Sequence, residues 1–170
     1  MKLNIKEDIV VRIATLFYMC SILGYVYELI LTYFHDNKIY SHGILNGPWL
    51  PIYGTGSLII MMFYKYKKKP LVIFLLSFFI TGIFEYLCGL VLLKFLKKRL
   101  WDYTGYFLNI NGLVCFLSAF CFAIGGLLIV YLIYPLVEKI YNKVNHKFLK
   151  IILTILSIVF LGDIIATIIK

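Results

Sequence analysis

The sequence predicts an all-α integral membrane protein: a bundle of about five transmembrane helices with a re-entrant or interfacial segment near 94–112. Three observations predict it. Of the residues, 62% are hydrophobic and 15% charged, where soluble chains run at roughly 45–50% and about 25%. Several apolar runs approach the roughly 20 residues needed to cross a bilayer core. The lysines and arginines gather in short runs at the ends of those apolar stretches, where they meet anionic headgroups. The net charge of +9 is therefore read as a membrane-surface charge, and the partner expected is the lipid bilayer, not nucleic acid.

Taken in order, residues 1–10 form a short lead-in and the first span covers about 11–34. Its apolar run is too long for a cleaved signal peptide. A polar loop follows over 35–47, then a second span over about 48–64 that stops at the lysine-rich turn 65–69 and Pro70. The third span, about 71–93, ends in Lys94, Lys97, Lys98 and Arg99. Residues 100–112 are polar and aromatic, too broken for a spanning helix. The fourth span, about 113–134, ends near Pro135, because an interior proline removes an amide donor and clashes with the preceding turn. A basic turn or short helix leads into the fifth span, about 148–169. The whole chain, 1–170, reads as one transmembrane domain. Counting Lys and Arg on alternate sides puts eleven of seventeen with the N-terminus, which favours a cytoplasmic N-terminus. The run at 94–99 opposes that count. The four cysteines all lie in apolar segments without a C-x-x-C pair and are read as buried free thiols.

The stretch 43–56, Gly-Ile-Leu-Asn-Gly-Pro-Trp-Leu-Pro-Ile-Tyr-Gly-Thr-Gly, organises the chain. Asn46-Gly47-Pro48 is a turn, since Asn and Gly tolerate positive φ and Pro pushes its predecessor out of the α region. Pro48 and Pro51 suit a first helical turn, where amide donors are unpaired anyway. Gly43, Gly47, Pro48, Pro51 and Gly54 are thus the structural turn residues. Two readings stand: an interfacial helix start anchored by Trp49, or a broken entrance to a polar cavity lined by Tyr53.

Glu28, Glu85 and Asp163 are acids placed in apolar runs, where ionisable groups face a bundle interior or water and mark function by default. Each also has a plain reading, as a structural carboxyl bonded to a neighbouring helix. Asn46, Tyr53, Trp101, Asp102, Asn109 and Asn111 complete the candidate cavity or substrate-binding set; for Trp101 to Asn111 the plain reading is an interfacial aromatic belt with capping side chains. A parallel between Glu28 followed by Asn46-Gly47 and Glu85 followed by Asn111-Gly112 suggests a duplicated hairpin. His35 and His42 lack a third ligand, so no metal and no cofactor are expected. Glu28, His42 and Asn46 form an acid–base set without a nucleophile, and no catalytic residue is assigned. No phosphate-binding G-x-x-x-x-G-K-[ST] occurs.

The motifs Gly24-Tyr25-Val26-Tyr27-Glu28, Gly43-Ile44-Leu45-Asn46-Gly47-Pro48 with Pro51-Ile52-Tyr53-Gly54, Glu85-Tyr86, Trp101-Asp102-Tyr103 and Asn109-Ile110-Asn111-Gly112 together resemble the bacterial "type IV" family of small ABC-transporter permease-like membrane proteins. The resemblance implies a multi-pass protein of the bacterial cell membrane, a separate ATPase subunit as partner, and a transport role. The family usually carries an acid where Lys94 stands and a basic residue where Leu113 stands. Five spans are few for a translocation path, so a homo-oligomer or another chain is expected to complete it. The alternatives are a membrane scaffold binding a partner or lipid, and an intramembrane enzyme acting on lipid.

Overall fold

The computed structural model describes residues 5–38, 40 and 43–169; His42 lies outside them, as does the side chain of His35. All regular structure in the described residues is helical: α1 (Ile5–Asp36), α2 (Pro51–Met61), α3 (Pro70–Val91), α4 (Phe116–Leu128), α5 (Tyr134–Lys143) and α6 (His146–Ile169). Two π-helical turns extend this set. Leu92–Leu96 continues α3, and Ile129–Ile133 joins α4 to α5. Among the described residues, four stretches are long and apolar enough to cross a membrane: Glu7–Phe34, Pro70–Leu96, Phe116–Lys143 and His146–Ile169.

The second expected span is much shorter than the other four. Its 11 residues rise only about 16 Å, roughly half of a 30 Å hydrocarbon core. Pro48 and Pro51 delay its start, so the loop holds an irregular backbone through Leu50. Its far end tightens into a 3₁₀ turn at Tyr64–Tyr66. The fourth span differs in the other direction, running on through Pro135 to Lys143. The π-helical turn just before Tyr134 and Pro135 explains this. A widened turn absorbs the missing amide and the clash that proline imposes on a regular helix.

The chain divides into two compact units: Met1–Gly54 with Tyr134–Lys170, and Thr55–Ile133. In the first, α1 packs on α5 and α6 around Val11, Tyr18, Tyr141, Leu149 and Leu153. Edge-to-face rings of Phe17, Tyr18 and Trp49 surround Phe160. Arg12 donates to Glu138 at 2.5 Å and sits 4.2 Å over the Tyr141 ring. Lys150 bonds Glu7. In the second unit, α3 and α4 lie side by side with Ile60, Ile73 and Val130 in its core. The four cysteines are free, as expected, but two of them are not buried: Cys88 is half-buried and Cys121 is exposed on α4.

The two hairpins proposed as repeats are built differently. The first pairs a 32-residue α1 with the 11-residue α2. The second pairs the 22-residue α3 with a helix that continues to Lys143.

Candidate functional site

Along α3, Ser77, Thr81, Glu85 and Gly89 recur every four residues and are all buried. Opposite them α4 buries Ser118, Ala119, Ala123 and Gly126. Small residues let two helices approach closely in an apolar medium, where packing and interhelical hydrogen bonds replace the hydrophobic effect. A Cβ added at Gly82 would stand 3.5 Å from Ala119, and one at Gly126 would overlap Ser77.

Glu85 is the ionisable group in this seam, only 3% exposed. It lies 11 residues before the end of its span at Leu96, about 17 Å along the axis. Its partners are two hydroxyls. Ser118 Oγ donates to Oε2 at 2.8 Å and Tyr103 OH to Oε1 at 3.0 Å. Ser118 is fixed by the start of α4, where Cys115 N–H donates to its Oγ at 3.1 Å and its own N–H donates to Cys115 Sγ at 3.3 Å. This is a capping box with cysteine in the cap position.

Tyr103 belongs to the loop over residues 97–115, which folds back along α3 as far as Glu85. Its own N–H donates to Gly112 O at 2.9 Å. Trp101 Nε1 donates to Leu113 O at 2.8 Å, and Asn111 Nδ2 to Tyr86 OH at 2.9 Å. Asn109 accepts from Gly112 N–H at 3.2 Å and donates to Tyr106 O at 3.0 Å. Asp102 draws the loop together, accepting from Thr104 N–H at 2.9 Å, Thr104 Oγ1 at 2.6 Å and Arg99 Nη1 at 2.7 Å. The Thr104 hydrogen bonds, with Arg99 adding to them, hold its carboxyl down to about 2. Gly112 has φ +68, and a Cβ there would meet Asp102 Oδ1 at 2.6 Å; only glycine fits. Leu113 is buried against Gly89, a place with no room for a solvated basic side chain.

Asp163 on α6 is held by another loop. Asn46 N–H and Nδ2 donate to Oδ1 at 3.0 and 2.8 Å. Gly47 N–H and Trp49 Nε1 donate to Oδ2, each at 2.8 Å. The turn stays compact because a Cβ at Gly47 would overlap the Trp49 ring. Leu50 N–H then donates to Ser21 O at 3.0 Å, and α2 begins. Gly54 lies against Phe17 and Ser21, while Tyr53 packs on Gly24 and stands edge-to-face with Tyr27 at 6.2 Å. Gly43 and Glu28 are half-buried, whereas Pro48 is exposed.

The structure thus joins Asn46 to Asp163, and gathers Trp101, Asp102, Asn109 and Asn111 into the loop that delivers Tyr103 to Glu85. Glu85 accepts from Ser118 and Tyr103, and Asp163 from Asn46, Gly47 and Trp49. Sequence reading missed Tyr103 and Ser118, the two side chains bonded to Glu85. The four-residue recurrence of Ser77, Thr81, Glu85 and Gly89 was a readable sign of an interhelical seam, and Ser118 follows Cys115 at capping-box spacing.

Four membrane-length apolar helices, with an acid set among small residues, define a multi-pass membrane protein. Residues 15–168 match the family model described as "Putative ABC-transporter type IV", and the chain belongs to that family. No curated protein and no solved structure matches the chain.

Proposed function

We propose that the chain is a permease-like subunit of an ABC-type transporter in the bacterial cell membrane, with a cytoplasmic N-terminus, a separate ATPase partner and assembly as a homo-oligomer. The observation that carries this reading is the Glu85 carboxyl, deep in a membrane-length helix and bonded by two neutral hydroxyls, one of them on a loop. A carboxyl placed so deep is expensive, and such groups mark ion or solute paths. Release of Tyr103 frees Oε1 to accept from a polar solute or cation, while Ser118 keeps Oε2 in place. ATP hydrolysis falls to another chain, because this sequence has no phosphate-binding loop. No residue here is assigned a catalytic role.

The test is solute flux in proteoliposomes containing this chain and the ATPase that co-purifies with it. Glu85→Gln and Tyr103→Phe reduce flux, and Glu28→Gln reduces it less. Flux unchanged by all three substitutions rules the reading out. Orientation is checked by reporter fusions at both ends: the N-terminal reporter is cytoplasmic, and the C-terminal one lies outside if the short α2 crosses.

A membrane scaffold is the second reading. The close fit along the α3–α4 seam, with Gly126 against Ser77, favours it. A scaffold tolerates Glu85→Gln, and a partner's abundance falls when the chain is removed.

A further inference from the structure

Ser118 does more at Glu85 than supply one donor. Its Oγ accepts from Cys115 N–H at 3.1 Å, and its single hydrogen has two acceptors in reach: Glu85 Oε2 at 2.8 Å and Cys115 O at 3.0 Å. A hydroxyl donates once and accepts twice. With Glu85 ionised, the hydrogen points to Oε2 and one lone pair of Oγ is left over. With a proton on Oε2, the hydrogen turns to Cys115 O and that lone pair accepts from the carboxyl. Cys115 O already accepts from Ala119 N–H at 3.1 Å and has a second lone pair for the incoming hydrogen. Tyr103 OH donates to Oε1 at 3.0 Å in both cases, because Oε1 is the carbonyl oxygen when Oε2 carries the proton. Neither state strands a buried polar atom, which is what would make one of them costly.

The surroundings narrow what Oε2 takes up. Among the described residues no charged side chain bonds Glu85. The titratable groups around it are Cys88 on its own helix, Cys115 at the head of α4 and Tyr103 on the loop. The loop's Arg99 and Asp102 pair with each other. The helix packing is tight on both sides. A Cβ at Gly89, about one turn beyond Glu85, would stand 3.0 Å from Leu113, and one at Gly82, about one turn before it, 3.5 Å from Ala119. Such spacing at Oε2 admits a hydrogen but no solute or hydrated ion. On the loop side Tyr103 is half-buried and residues 104–108 are exposed, so one side chain separates Glu85 from the exposed loop surface.

We infer that the ligand of the α3–α4 seam is a proton: Glu85 Oε2 binds and releases it, and Ser118 turns its hydroxyl between Glu85 and Cys115 O to match. The carboxyl passes from ionised to neutral, the proton comes from water and returns to it, and no other covalent bond changes. The inference builds on the permease reading, which takes Glu85 as its working group, and names what that group exchanges. Ser118 is a positioning residue here. Through Cys115 O it ties the charge of Glu85 to the first turn of α4.

The experiment is pH-dependent infrared difference spectroscopy of the full chain in liposomes, without an ATPase or a solute. The expected result is the C=O band of a buried protonated carboxyl, appearing as pH falls over a range in which circular dichroism shows the helices intact. Glu85→Gln abolishes the band. Ser118→Ala moves it to higher frequency, because the acid proton has lost its acceptor. Ser118→Thr keeps the hydroxyl and leaves the band in place. Absence of the band from the folded wild-type chain overturns the inference, as does a band that survives Glu85→Gln. A band that Ser118→Ala leaves unmoved, or that disappears in folded Ser118→Thr, overturns the role given to Ser118. None of these readouts uses transport. Solute flux that depends on Glu85 in a chain without the band upholds the permease reading and overturns this one, and a band without flux does the reverse.

Discussion

Two carboxyl groups on membrane-length helices are held in opposite ways. Asp163 receives four N–H groups from Asn46, Gly47 and Trp49. Glu85 receives two hydroxyls, from Ser118 and Tyr103. An N–H donates and never accepts, so the cage around Asp163 suits an ionised carboxylate alone. A hydroxyl does both, so the bonds at Glu85 persist whether or not the carboxyl carries a proton. The first arrangement fixes a loop to a helix. The second allows a carboxyl to change its charge or its partner without collapse of the seam around it. Two acids that look alike in the sequence are thus met by different kinds of donor.

The two tryptophans make the contrast measurable, since Trp49 reports on the Asp163 cage and Trp101 on the loop over Glu85. The largest effect is expected from Asp163→Ala, which strands four donors. It lowers stability by about 3 kcal/mol, less than the sum of the separate bonds because the site is partly open. Denaturant titration followed by Trp49 emission in a Trp101→Phe background checks it, and an unshifted midpoint breaks the comparison. Gly112→Ala comes next, at about 2 kcal/mol, because it combines positive φ with overlap on Asp102. Its effect is read by Trp101 emission in a Trp49→Phe background. Glu85→Gln is smaller still, under about 1 kcal/mol, since the amide keeps the shape and an acceptor for Tyr103. A large stability loss there would make Glu85 as structural as Asp163.

The smallest effect is an acid transition of the loop. Asp102 titrates at about 2 in the folded chain, against an ordinary value of 3.8. Its contribution is complete above about pH 4 and fades as pH falls toward about 2, because the folded state favours the ionised form. Trp101 emission between those values follows it, and Asp102→Asn removes the transition.

The amino-acid sequence by itself determined that the chain enters a membrane, which segments are apolar helices, where the acids sit along them, and that Asn46-Gly47-Pro48 turns. Hydropathy, helix length and turn chemistry are sums or local preferences, so a one-dimensional reading captures them. Local rules also misjudged two helices: α2 shortened behind its prolines, and the fourth span crossed Pro135 through a π-helical turn. Only the tertiary structure decided what each acid touches. Asp163 meets Asn46, which is 117 positions away, and Glu85 meets Ser118, 33 positions away. A hydrogen bond is a matter of ångströms between atoms that the chain brings together from afar. The spacing that placed each carboxyl along its helix therefore carried no information about whether an amide or a hydroxyl would face it.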